Sequence, residues 1–391
     1  MEKINYNNLY NIRRQSLIFV QFIVFRALGL SPWTFYHFEE FYGYKKINYL
    51  NLEYCLSYWG SSYNIVLSAF IITTNYLYFF SNTDFIENMR SMLSSYSYAY
   101  IHIKIYLRAA SFTSTAIVLW NYVSLQARII NFLNRLQRVD IKLIKDSKYE
   151  PKNATGFCLM FFINLFVSIS LMVMHPTTDL QLEYFFKDFL YMFTSGFPIV
   201  FYNWMILQYI MMLNLTMRRI KKVNSLILEI GIDENDNVLN NQASERELCC
   251  LKEVYMHLCK LQDGLVSFYG IPILIAVINI GGLSLFIVYN IYDLNSLYPL
   301  GTKDYVIYGI WLIWMIFFII VVFITFIRAK IEEKKAKNNL CSLLRRYSMD
   351  ERFKYELDEL LHNRWPQEVD VKFDDLVSFE DIFPQSESLI N

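Results

Sequence analysis

Cys249, Cys250, His257 and Cys259 are the side chains whose types come nearest to metal chemistry, since thiolate and imidazole are the ligands zinc prefers. Their spacing is not that of a zinc finger, and the adjacent Cys249 and Cys250 project to different faces of a helix. Packing accounts for all four, and no metal is expected. His37, His102, His175, His257 and His362 are scattered, and no nucleophile elbow, H-E-x-x-H or phosphate-loop pattern occurs. Neither an enzyme nor a cofactor is expected. With 36 basic and 36 acidic residues the chain also lacks the charge excess that attracts nucleic acid.

Recognition by aromatic and polar groups is a different kind of chemistry. His102, Tyr106, Tyr191, Thr194, Tyr289, Tyr308 and Trp311 fall near the ends of apolar runs, where they would line a pocket for a small organic molecule. Taken singly, each also suits an interfacial belt of amphipathic rings. Lys104 and Arg108 share one face of the same region, where they would attract an anion, pair with Asp188 or Glu183, or snorkel to the interface.

The elements that must hold these residues are helices in a membrane. Of 391 residues, 55% are hydrophobic and only 18% charged, too apolar for a soluble protein of this size. The polar run 1–11 and Arg26 within the first apolar stretch predict no cleaved leader. The stretch 16–33 is short and stops at Ser31-Pro32, which predicts an interfacial helix. Apolar runs at 57–80, 103–125, 156–174, 185–213, 266–292 and 305–327 predict six spans, each long enough for a hydrocarbon core of about 30 Å. Lys and Arg concentrate after the second, fourth and sixth of these, for example Arg128, Arg135, Arg138, Arg218, Lys221, Arg328 and Lys330. The positive-inside rule then places both termini and the large connections in the cytosol.

One stretch carries two patterns without a break. Ser244 and Glu247 have capping-box spacing, and Leu251, Val254, Leu258, Leu261 and Leu265 then recur every three or four residues among charged neighbours. Past Gly264 the charges stop and the run becomes apolar all round. A single helix, half wet and half membrane-embedded, is the expectation, with the leucine stripe as an oligomer anchor. The fold class is therefore all-α: a polytopic membrane helical bundle with a cytosolic helical anchor formed by extensions of the later spans. Its divisions are a cytosolic segment at 1–56, spans one to four at 57–213, anchor helices and loop at 214–265, spans five and six at 266–327, and cytosolic helices with an acidic tail at 328–391.

The segments FVQFIVFRALGLSPW, MMLNLTMRRIKKVNSLILEIG, CCLKEVYMHLCKLQDGLVSFYGIPILIAVINIGGLSLFIVY and IEEKKAKNNLCSLLRRYSMDERFKYELDELLHNRWPQEVDV are similar to those of the insect gustatory receptors. That resemblance implies a cell-membrane protein with a cytosolic N-terminus, a homo- or hetero-tetramer with related receptors joined through a cytosolic anchor. It further implies a ligand-gated cation channel opened by a small-molecule tastant. The family's closing pore-lining span, with its Thr-Tyr to Gln-Phe signature, has no counterpart in 328–391. The alternative expectation is a non-conducting scaffold or regulatory subunit of receptor complexes.

Overall fold

The computed structural model describes residues 22–35, 54–89, 95–146, 155–174, 185–232, 241–297 and 302–346. They form a minimal ribbon of two strands, β1 (Thr34–Phe35) and β2 (Tyr54–Cys55), and long helices. The helices are α1 (Tyr58–Met89), α2 (Ser95–Ser124), α3 (Gln126–Asp146), α4 (Thr155–Met174), α5 (Phe185–Ile232), α6 (Asn241–Leu297) and α7 (Thr302–Arg346). The all-α membrane fold is what the sequence leads one to expect. Among the described residues three helices are long and apolar enough to cross a membrane, or four if the bent pair α2–α3 is counted as one, and 159–169 is a shorter apolar helix.

The bundle is built around α5, which packs against α1, α2, α4, α6 and α7. Every residue from 196 to 210 is buried. Pro198 lies within α5 and Pro272 within α6, and both helices run on past them. A proline inside a span is tolerated because neighbouring helices satisfy the backbone group it frees. α6 begins at Asn241, about one turn before the start that the capping box at Ser244 predicts, and continues unbroken from its charged half into its apolar half.

The stretch preceding β1, of which residues 22–33 are described, packs into the bundle. Phe22, Phe25, Leu30 and Trp33 are buried in the protein, Arg26 is half-buried and Ile23 is exposed. The reason is a sharp reversal that lets the chain turn inward. Gly29 has φ +77°, a left-handed conformation that glycine adopts without steric cost, and a side chain there would meet Leu119. The extended residues that follow pair antiparallel with β2, Thr34 opposite Cys55 and Phe35 opposite Tyr54. Gly60 at the start of α1 makes room for them, since a Cβ on it would sit 2.1 Å from the Pro32 carbonyl oxygen.

The basic connection after the second span is also more ordered than a loop. It is the helix α3, turned by 58° from α2 at Leu125. Ile129, Ile130, Phe132, Leu133, Leu136 and Val139 are buried, and α3 packs chiefly on α6. Spacings of three and four residues among these apolar positions give the amphipathic face that makes this segment helical. α7 is continuous from Thr302 through Arg346, so the last apolar run continues as helix into the charged stretch after it; residues 347–391 lie outside the described residues.

Candidate functional site

Inside the bundle the isolated polar residues of the spans meet in two tiers along α5. The first joins α2, α5 and α6. Tyr202 shares a 2.6 Å hydrogen bond with Ser114 and accepts one from the Thr115 hydroxyl at 3.3 Å. Asn279 donates through Nδ2 to Ser114 Oγ at 3.1 Å and accepts at Oδ1 from Ser111 Oγ at 3.0 Å. Thr115 and Tyr202 have no exposed surface, so these bonds lie in a medium of low dielectric, where unpaired polar groups are costly.

The second tier lies about 9 Å further along α5, at six residues and a rise of about 1.5 Å each. Gln208 is its centre. Its Oε1 accepts from the Tyr122 and Tyr269 hydroxyls, both at 2.9 Å, and its Nε2 donates to the Leu30 carbonyl at 2.9 Å and to Ser31 Oγ at 3.4 Å. One amide thus ties α2, α5, α6 and the inserted N-terminal stretch together with its hydrogen-bonding capacity filled. Tyr122 stands edge-on to Phe268 at 5.1 Å and to Tyr269 at 6.2 Å, so the polar centre is ringed by aromatic packing.

Capacity is left over elsewhere on α4 and α5. Asn203 Oδ1 on α5 and both side-chain amide atoms of Asn164 on α4 are buried with no protein partner. Nine-tenths or more of buried polar atoms are ordinarily satisfied, so these are places where water or a ligand group would be welcomed.

Beyond the second tier, Gln126 at the α2–α3 bend donates to the Pro32 carbonyl at 2.7 Å and accepts from Ser61 Oγ at 2.9 Å. Asn134 on α3 closes the free edge of the ribbon, accepting from Tyr54 N at 2.9 Å and donating to Tyr54 O at 3.0 Å. Arg219 on α5 holds Asp140 on α3 with a fork, Nε to Oδ1 at 2.6 Å and Nη2 to Oδ2, and its Nη1 donates to the Leu215 carbonyl at 2.6 Å. Desolvation, partly offset by the Arg219 guanidinium, pushes the Tyr54 hydroxyl up to about 12, which keeps it neutral beside this pair.

The sequence-predicted pocket residues are divided by this arrangement. Tyr106 and Tyr289 are exposed, on α2 and α6, while Trp311 on α7 is buried in the apolar core. The positions of His102, Tyr191, Thr194 and Tyr308 fall within α2, α5 and α7, but their side chains lie outside the described residues, as does that of Lys104. Leu251, Val254, Leu258, Leu261 and Leu265 are all buried within the chain itself, in one cluster with α3, α5 and α7 residues. Their stripe is therefore an intrachain seam. His257 lies 3.5 Å from Glu253 on its own helix, and Cys259 is buried.

Tyr202, Gln208 and Asn279 were not singled out by the sequence reading. The signal was present: each is a lone polar residue in an otherwise apolar run, and such residues inside membrane helices mark bundle interiors and functional pathways.

A hub helix carrying a buried polar ladder, surrounded by apolar helices that continue into a charged layer, defines a helical membrane protein. The chain matches the model of the 7tm chemosensory receptor family over residues 18–363, and it belongs to that family. No curated protein matches it.

Proposed function

We propose that this chemoreceptor is of the gustatory kind: a multi-pass subunit of the cell membrane with its N-terminus in the cytosol, gated by a small-molecule tastant. The observation that carries the reading is the family match over 18–363. In the six-span topology the first tier lies toward the outside and the second toward the cytosol. Tyr106 and Tyr289, exposed on α2 and α6, would then flank the mouth of a site whose floor is Ser111, Ser114, Tyr202 and Asn279, with His102, Tyr191, Thr194, Tyr308 and Trp311 as the further candidate residues of the pocket. A tastant bearing hydroxyl or carbonyl groups would exchange hydrogen bonds with that floor, and the shared residues of α2, α5 and α6 would carry the change to Gln208 and the charged layer.

Assembly as a homo- or hetero-tetramer with related receptors belongs to the same reading, through the layer formed by the wet halves of α5, α6 and α7. Leu251, Val254, Leu258, Leu261 and Leu265 would stiffen that layer, and the interface would use faces they leave outward. Cation current evoked by a tastant panel in cells expressing the chain tests the proposal. Current from the chain alone makes it an autonomous receptor channel, and current only with a related receptor makes it a subunit. Silence in both settings contradicts the gating role.

A further inference from the structure

α3 is amphipathic in an unusual setting. Its apolar face is already taken by α6, whereas the opposite face exposes Arg128, Arg135 and Arg138 at spacings of seven and three residues, all on one side of the helix. The level of this face relative to the bilayer is marked by aromatic rings. Trp120 is 58% exposed two turns before Arg128, and Tyr58 and Trp59 are 88% and 85% exposed at the start of α1. Ser61 binds Gln126, so the start of α1 and the α2–α3 bend are at one depth. Exposed Trp and Tyr beside long apolar helices sit at headgroup level. Arg128 follows directly and donates to Ser267 Oγ at 3.3 Å, where α6 passes from its charged to its apolar half.

We propose that Arg128, Arg135 and Arg138 form a docking surface for the anionic phospholipid headgroups of the adjoining leaflet. Charge complementarity selects the occupant. A basic amphipathic helix also suits an acidic helix-binding protein, but such partners need the apolar face, which α6 occupies here. Lipid headgroups need only the guanidinium forks, which bind phosphate oxygens in pairs. The assignment of the leaflet as cytosolic rests on the topology under Proposed function. Because α3 is fixed to α5 through Asp140 and Arg219, headgroups held on its outer face would bias the position of the charged layer against the hub.

The test uses the full chain in nanodiscs of phosphatidylcholine, with and without phosphatidylserine, and reads lipid retained on the protein by native mass spectrometry. Each arginine near an anionic surface contributes about a fivefold factor in affinity, so R135Q/R138Q should lower phosphatidylserine retention by about 25-fold, and R135K/R138K should retain most of it. Raised salt should mimic the Gln variant. An unchanged elution volume for the Lys and Gln variants shows that both are folded. Equal retention of the two lipids by the wild-type chain, or an undiminished preference in R135Q/R138Q, overturns the proposal. Nanodiscs present both leaflets, so a failed topology leaves this result standing and is detected separately by epitope accessibility in intact cells.

Discussion

Of the window that qualifies α5 as a membrane span, 89% is buried inside the chain; for α7, the most apolar of the three qualifying helices, the share is 22%. In water the order would be reversed, since burial follows apolarity there. In lipid it need not be, because hydrocarbon is as good a solvent for Leu and Ile as a protein core is. Association depends instead on close packing and hydrogen bonds between helices. α5 carries Tyr202 and Gln208, which find partners in the middle, and α7 carries Ile313, Phe317, Ile320 and Phe323, which face outward. The hub is thus chosen by its polar residues and the rim by the lack of them.

Removing the centre of the polar ladder should be the largest blow to the hub. Gln208→Leu leaves the Tyr122 and Tyr269 hydroxyls and the Leu30 carbonyl without this partner; at about 1–3 kcal/mol per orphaned group, a loss of several kcal/mol is expected, read as thermal unfolding in detergent. A matched pair of changes tests hub against rim directly. Ile206→Ala on α5 should cost about 2–4 kcal/mol as a core cavity, whereas Ile320→Ala on α7 should stay within about 0.5 kcal/mol. Equal effects would break the comparison. At the charged end, Asp140→Asn strands Arg219, whose side chain is only 12% exposed, and should cost about 2 kcal/mol. Removing both charges should recover most of that loss, because a pair replaced together leaves nothing unpaired. Gly60→Ala would press a Cβ to 2.1 Å from the Pro32 carbonyl oxygen and should cost about 1–3 kcal/mol, read in the same thermal unfolding; no loss would show that the inserted stretch moves aside freely.

Much of the secondary structure was legible before any coordinates. The apolar runs among the described residues are helical, and α6 joins a wet half to an apolar half because its stripe and its charge-free run share one register. What could not be read was which solvent each apolar face meets. Periodicity shows that Leu258 and Leu261 need a partner, but not that the same chain covers them. The basic residues of α3 drew attention to topology and hid the apolar residues between them. The burial of Phe25 and Trp33 was equally illegible, because the turn that brings them into the bundle depends on one glycine in a left-handed conformation and on the space left by Gly60.

For the candidate site, the exposed aromatic ends were visible as composition, whereas the floor was not. Ser111, Ser114, Tyr202 and Asn279 are far apart in the chain and meet only when α2, α5 and α6 are packed. A lone asparagine in an apolar run announces that it needs partners without saying which.

The central claim is that α5 is enclosed by protein while α7 faces outward, and labelling with a hydrophobic photoprobe dissolved in the bilayer tests it most directly. Adducts are expected on 309–327, at positions such as Ile313, Ile320 and Phe323, and almost none on 196–210. Labelling of α5 as heavy as that of α7 would contradict it.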